Sequence, residues 1–334
     1  MALMIAAISL TLPGCEKKAP GTEASHAPVT LRYGFVTGVE RPSGPIGWAL
    51  EKGILQAALA KIGITGVSYV RLGGPSLNEA LAGGSVDVIT LGDTPAIVGR
   101  SAGLPVRLVD LESVGSNAVL VVRQDGPKTL QDLVGKKVAY SAGSNGTYYA
   151  YALLAEAGLL DKVTLVNVDY TGTAAALLHG DIDAGVNLQG TVFNPQDNGD
   201  QVYRVLDYAR NHPDLTASTV TESSESFLTA HPDFIAAWNQ ARAAAIADIQ
   251  VHPDDYYRFQ TSRLKFYPEA TVRGIYPLTM FNPDPLPAEG ATVLGRTKNF
   301  LLSQHLIKDD FAITEWAAAP FSSPSAPVTS GEGK

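Results

Sequence analysis

The amino-acid sequence predicts a two-lobed α/β fold, in which two doubly wound sheets are joined by a two-strand hinge. Three observations point there. The chain has 334 residues, more than one hydrophobic core usually holds. Short β-rich runs alternate with amphipathic helical runs, the rhythm of sheets covered by helices on both faces. One phrase is also written twice. ALAGGSVDVITLGDTP starts at Ala80 and ALLHGDIDAGVNLQGT at Ala176; Gly84 and Gly180 stand four positions after the Ala, Asp87 and Asp183 seven. That separation exceeds the ~20–50-residue period of solenoid repeats and fits two related lobes.

From Val29, VTLRYGFV reads as a strand, IGWALEKGILQAALAKIG as a helix and VSYVRL as a strand. A helix over residues 76–82 leads into the strand VDVITL, a helix over 94–102 and the strand VRLVDLE. The rhythm restarts with NAVLVVRQ and TLQDLVGKKVAYSA. A helix through TYYAYALLAEAGL, the strand VTLVNVDY, a helix over AAALLHG and the strand IDAGVNL complete the second series. ASTVTE reads as a return strand, and the remainder of the chain is mostly helical, so it is expected to go back and cover the first half. Lobe 1 is therefore expected over residues 29–116 and 220–316 and lobe 2 over 117–219, with strands crossing near 117–123 and 217–221.

The two ends read differently. MALMIAAISLTLPGCEKK opens with roughly a dozen apolar residues, too few to span a bilayer and suited to a signal-peptide core. Leu12-Pro13-Gly14-Cys15 then resembles a bacterial lipobox, so residues 1–15 are expected to be a lipoprotein signal peptide with Cys15 as the lipid attachment site. Residues 16–28 and 317–334 are polar and rich in Ala, Gly, Pro and Ser, the composition of a flexible tether and a disordered tail. A single cysteine excludes an intramolecular disulfide and a Cys-based zinc site. The net charge of −8, with no basic stripe, argues against a nucleic-acid partner.

Two loops carry the candidate chemistry. LGDTPAIVGR offers Gly92 for close backbone approach, Asp93, Thr94 as a helix N-cap and Pro95 in the first turn. YSAGSNGTYYAY places Ser141, Gly143, Ser144, Asn145, Gly146 and Thr147 between a strand and a helix. Helix N-termini with hydroxyls suit an anion, although plain capping explains either loop taken alone. An alternative reading is enzymatic. Ala142-Gly143-Ser144-Asn145-Gly146 approximates a nucleophile elbow, with Asp181 or Asp183 and His212 or His231 as triad partners of a hydrolase or biosynthetic enzyme. His212, His231 and His252 each stand in HPD, which marks a helix start, and their spacing gives no ligand pattern, so no metal is expected. No P-loop or GxGxxG pattern follows a strand, and no cofactor is expected.

GPIGWALEKGIL, NEALAGGSVDVITLGDTPAI, TLQDLVGKKVAYSAGSNGTYY, AALLHGDIDA and FLTAHPDFIAAW together resemble the bacterial ABC-transporter solute-binding proteins of the aliphatic-sulfonate, taurine and nitrate-binding group. The resemblance implies a type II periplasmic-binding fold, non-catalytic, with two lobes closing on a small anionic or zwitterionic ligand delivered to a permease and its ATPase. It implies a place at the periplasmic or extracellular face of the membrane, held there by the lipid anchor alone. The Gly92-Asp93-Thr94-Pro95 loop matches sulfonate-binding members, where such loops hold the anionic head. After Asp183-Ala184, where those members often carry Trp and an aromatic or Pro, this chain has Asn187 and Gln189, which argues for a more polar or bulkier ligand. Glu40, Arg41 and Ser43 come after the first strand and are further candidates, Arg41 for bidentate anion recognition. Asp93 is expected either to bond within its own loop or to pair with the ammonium of a zwitterion.

Overall fold

The computed structural model describes residues 29–36, 40–189, 202–264 and 267–323. The lipobox, Cys15 and the tether lie outside them. The first series runs β1 (Val29–Val36), α1 (Gly44–Glu51), α2 (Ile54–Ala60), β2 (Ile64–Leu72), α3 (Gly74–Ala82), β3 (Val88–Gly92), α4 (Asp93–Ser101) and β4 (Val106–Ser116). The second runs β5 (Ala118–Arg123), β6 (Lys137–Tyr140), α5 (Asn145–Glu156), β7 (Thr164–Asn167), α6 (Tyr170–His179), β8 (Ala184–Leu188) and β9 (Tyr203–Tyr208). The chain then returns through β10 (Ala217–Ser224), α7 (Glu225–Ala230), α8 (Phe234–Val251), α9 (Pro253–Arg263), α10 (Glu269–Ile275), α11 (Ala288–Ser303) and α12 (Ile313–Trp316).

Two five-stranded sheets result among the described residues, ordered β2-β1-β3-β10-β4 and β7-β6-β8-β5-β9. Each is mixed. β10 runs antiparallel to β3 and β4, and β5 antiparallel to β8 and β9. In both sheets the antiparallel strand stands fourth and is the first strand after the chain has crossed over. The crossings are shorter than the sequence suggested: Asn117 alone separates β4 from β5, so 118–123 already belongs to the second sheet. The expected boundary at 219/220 falls inside β10, which pairs with β4 from Ala217 onward.

The repeated phrase has a structural reason. Gly84 and Gly180 both adopt positive φ, +68° and +77°, where a β-carbon would be strained, and each sits in the turn that ends its helix. Asp87 Oδ2 then accepts the backbone N–H of Arg32 on β1 at 2.8 Å, and Asp183 Oδ2 accepts that of Lys137 on β6 at 2.9 Å. Each carboxylate thus ties the loop before β3 or β8 to the neighbouring strand at the same point of its sheet. Cationic side chains add to both: Arg32 pairs with Asp87, and Lys136 lies 3.6 Å from Asp183.

Apolar clusters cover both faces of each sheet. On the first sheet α1, α2, α8 and α9 bury Leu31, Tyr33 and Phe35 on one face, while Leu91 and Leu111 pack with α4, α11 and α12 on the other. α11 also reaches the second lobe, where Phe300 meets Tyr148 edge to face at 5.4 Å and Arg296 pairs with Asp214. The C-terminal residues expected to be disordered are in part packed. Ala318 N–H donates to Leu108 O at 2.8 Å and Ser322 N–H to Leu286 O at 2.8 Å, because the segment after α12 extends the first sheet's edge. Residues 324–334 lie outside the described set.

Several carboxylates are buried in this first lobe. Arg242 on α8, fully enclosed, lies 3.1 Å from Glu112 and 3.7 Å from Asp110. Glu222 on β10 makes no ion pair: one oxygen accepts the Trp316 indole N–H at 2.8 Å, the other has no hydrogen-bond partner among the described residues, and Arg100 acts on it only at a distance. Burial pushes its carboxyl up to about 8. The native state therefore holds a proton that the unfolded chain releases above its ordinary value of 4.5, so this group's contribution to stability is lost as pH rises from there through about 8. Glu222→Gln keeps the Trp316 acceptor and removes the titration. The variant is expected to match the parent protein near pH 4 and to melt at higher temperature than the parent near pH 9, which thermal unfolding at both pH values will read.

Candidate functional site

The carboxyl ends of both sheets open onto one cavity of about 830 Å³, lined from the first sheet by Phe35, Gly92 and Glu112 and from the second by Leu188 and Gln189. Strand ends at a crossover are where open α/β sheets bind ligands. The helices that start there decide what the cavity offers.

α5 begins with Ser144 as N-cap, whose Oγ accepts Gly146 N–H at 3.2 Å. The same hydroxyl lies 2.6 Å from Ser141 O and 2.6 Å from the Tyr170 hydroxyl. Since Ser141 O can only accept, Ser144 donates to it and Tyr170 donates to Ser144. No histidine or carboxylate contacts Ser144 among its hydrogen-bond partners. His212, the expected triad base, instead meets Asp207 at 2.8 Å and Glu156 at 3.3 Å, and His231 packs on Phe227. Asp183 is occupied with the N–H of Lys137. The nucleophile-elbow geometry therefore lacks its base.

Asn145, the first residue of α5, crosses to the other lobe. Its Oδ1 accepts Thr94 N–H at 3.1 Å and its Nδ2 donates to Ser218 O at 3.1 Å, and the residue is only 5% exposed. The amide thus fills the N-terminus of α4, the end expected to hold an anion. Gly92 is obligatory beside it, because a β-carbon there would collide with the Asn145 amide. Asp93 is buried too. Its Oδ2 accepts Ser218 N–H at 3.0 Å, Thr94 Oγ1 lies 3.5 Å from its Oδ1, and burial pushes its carboxyl up to about 7. Asp93 thus takes its shorter bond from Ser218 on β10, outside its own loop, and a longer one from Thr94 within it.

α1 is closed in a similar way. Its N-cap Ser43 makes no side-chain cap, but Glu112 Oε1 accepts Ile46 N–H at 3.1 Å and Gln260 Oε1 accepts Gly44 N–H at 3.2 Å. Glu112 is held in turn by Arg242, and burial raises its carboxyl to about 8. α3 differs. Its N-cap Gly73 provides no side-chain cap and no acid stands in its first turn, while Gly73, Gly74, Pro75 and Ser76 all line the cavity beside Arg71.

Of the residues singled out in the sequence, Ser43, Gly92, Ser144, Asn145 and Gln189 line the cavity, as does Glu40. Gln189 Oε1 accepts from Asn117 at 2.6 Å, tying β8 to the crossing. Others do not line it, Gly143 and Gly146 among them. Asp93 and Thr94 are fully buried under Asn145. Thr147 turns its hydroxyl back to Ser141 O at 2.8 Å. Asn187 is fully buried within β8, its Oδ1 accepting the Leu188 N–H at 3.2 Å and its Nδ2 donating to Tyr170 O at 3.5 Å, whereas Gln189 lies past the end of the strand, where alternation no longer sets its direction. Arg41 lines a smaller cavity of about 250 Å³ with Glu51 and Tyr69. The sequence reading missed Arg71 and Tyr170, and above all the apolar group Ile275, Tyr276, Met280 and Phe281, which begins at the last residue of α10 and carries no motif. A dense run of large apolar residues between two helices was its one signal. Among the described residues no cluster of His, Cys, Asp and Glu is arranged to hold a metal.

Residues 93–256 match the family described as NMT1/THI5 like. An Escherichia coli (strain K12) protein named as an aliphatic sulfonates-binding protein is 33% identical over 168 residues, 48% of this chain and 50% of that protein. The taurine-binding periplasmic protein of the same strain is 28% identical over 211 residues, 60% of this chain and 64% of that protein. The chain thus spans about half to under two thirds of the length of these curated relatives. The solved periplasmic aliphatic sulphonate binding protein SsuA of Escherichia coli superposes with a TM-score of 0.67 at 22% identity, covering 87% of this chain and 98% of that one. The desulfurization enzyme DSZB superposes with a TM-score of 0.66 at 20% identity, over 87% of this chain and 96% of that one. The fold is that of periplasmic binding proteins, and the resemblance read from the sequence stands.

Asn145→Ala leaves a buried Thr94 N–H without its acceptor and is expected to cost about 1–3 kcal/mol of stability. Gly92→Ala displaces the same amide and should cost a similar amount. Because both act on one contact, the double variant should lose clearly less than the sum of the two, and chemical denaturation of the four proteins measures that non-additivity.

Proposed function

Taking the match of residues 93–256 to the NMT1/THI5-like family as premise, we propose that the protein is the extracytoplasmic solute-binding component of an ABC importer. It captures a small organic anion of sulfonate type between its lobes and delivers it to the permease. The observation that carries this reading is the cavity of about 830 Å³ walled by the strand ends of both sheets, within the ~300–1,000 Å³ of small-molecule sites. Its polar donors come from both sides. Arg71 and Ser76 stand at the side-chain-uncapped start of α3, and Thr171 in the first turn of α6. An anion bridging them gains contacts that neither lobe supplies alone, which favours the closed arrangement.

A hydrolase acting through Ser144 is the weaker reading, because that hydroxyl is engaged by Ser141, Gly146 and Tyr170 rather than by a base. Residues 1–15 serve in this proposal as a lipoprotein signal peptide and Cys15 as the anchor, and among the described residues no helix is long and apolar enough to cross a membrane.

A thermal-shift panel of alkanesulfonates, taurine, sulfate esters and nitrate tests the binding function. A true ligand at about 100 times its Kd should add about 2.7 kcal/mol to stability and reduce the radius of gyration in small-angle scattering. Stabilisation by none of them, or turnover of an ester that Ser144→Ala abolishes, would overturn the proposal. The anchor is tested separately: Cys15→Ser expressed from the full gene should be recovered in the soluble fraction without the mass increment of a diacylglyceryl group.

A further inference from the structure

The two walls of the cavity differ in chemistry. The wall from the second lobe is largely polar, presenting Ser141, Ser144, Asp169, Thr171 and Gln189. The opposite wall carries, beside polar groups such as Glu112, Gln260 and Arg263, an apolar and aromatic patch: Phe35 at the end of β1, with Ile275, Tyr276, Met280 and Phe281 from the end of α10 and the segment after it. These side chains are fixed in place. Phe35 lies 6.2 Å from the ring of Tyr33 and 6.0 Å from that of Tyr69, and Phe281 meets Tyr256 edge to face at 5.9 Å. Tyr276 is held through its carbonyl, which accepts the Tyr257 hydroxyl at 3.0 Å.

A two-carbon amino-sulfonate fills a small part of about 830 Å³ and would leave this wall in contact with water. Resting on the binding function above, we infer that the ligand is an amphiphilic anion with a flat aryl-sized apolar body, the ring lying against Phe35, Tyr276 and Phe281 and the anionic head turned to the start of α3, where no acid stands, rather than to α6, whose N-cap is Asp169. Aromatic faces favour offset or edge-on contact with a second ring over contact with a short alkyl chain, and the positions of these rings set no demand for a hydrogen-bonding tail. The guanidinium of Arg263 stacks on Phe259 at 4.7 Å and bonds Glu51 at 2.8 Å while the residue also lines the cavity.

Titration calorimetry on the full chain with naphthalene-2-sulfonate, ethanesulfonate, taurine and neutral 2-naphthalenemethanol tests this. Naphthalene-2-sulfonate is expected to bind at least about tenfold tighter than ethanesulfonate, the scale of one aromatic contact. Tyr276 is half-buried, so Tyr276→Ala should fold, as circular dichroism will verify. That variant should lose about tenfold for the aryl sulfonate and leave ethanesulfonate unchanged, while Tyr276→Phe retains both. Ethanesulfonate or taurine binding as tightly as the aryl sulfonate would overturn the aryl inference and leave the sulfonate-binding function standing. Equal binding of 2-naphthalenemethanol would keep the aryl slot and overturn the anion reading. Absence of heat with all four probes would overturn both.

Discussion

The contact on which the rest of the site depends is a single amide crossing from one lobe to the other. Asn145 starts α5 in the second lobe, yet both ends of its side chain bond the first, at Thr94 N–H and Ser218 O. A carboxamide suits this place because it accepts and donates at once, matching one free N–H and one free carbonyl without bringing a charge into a buried seam. The absent side chain of Gly92 makes room for it, and Asp93 fixes Ser218 from behind. The start of α4, the most attractive anion site by sequence, is thereby used to hold the molecule together. On the proposed reading, recognition would move outward, to the start of α3 and the aromatic patch.

The fold was legible in the sequence because its signals are local. Gly84 and Gly180 end helices by positive φ, and Asp87 and Asp183 bond the strand next door; each needs only a few residues of context, and each recurs where the second lobe repeats the first. The HPD triplets were legible for the same reason. Pro253 with Asp254 and Asp255 starts α9, and Asp233 stands at the N-cap position of α8 without a side-chain cap bond. The antiparallel insertion of β5 and β10 was not legible, because strand direction is set by where the chain crosses and leaves no mark in residue composition.

The site was legible only where local and distant structure coincide. Ser43, Ser144 and Gln189 lie on loops at strand ends and do line the cavity. Thr94 and Asp93 lie on such a loop too, but a residue 51 positions further on covers Thr94, and no local pattern announces that. Glu112 caps α1 from 66 positions away. The apolar wall was missed for the converse reason: Ile275, Tyr276, Met280 and Phe281 look like ordinary core residues, and only the tertiary arrangement leaves one side of them facing the cavity. Asn187 failed because it lies within β8 and is covered there, whereas Gln189 comes after the strand has ended and the chain turns it to the cavity.

The placement of β10 bears on how the chain is made. The second sheet draws all its strands from one continuous stretch, β5 to β9, and can pair fully as soon as that stretch exists. The first sheet cannot. Its β3 and β4 are not neighbours; they are joined only through β10, which begins at Ala217, more than a hundred positions after either of them has been synthesised or has emerged from a translocation pore. Until then the facing edges of β3 and β4 stay unpaired, rich in Val, Ile and Leu, and closing that gap means ordering a long intervening stretch first. The later-made lobe is thus positioned to fold before the earlier one is finished. The N-terminal half can complete its own sheet only after the second lobe has been made.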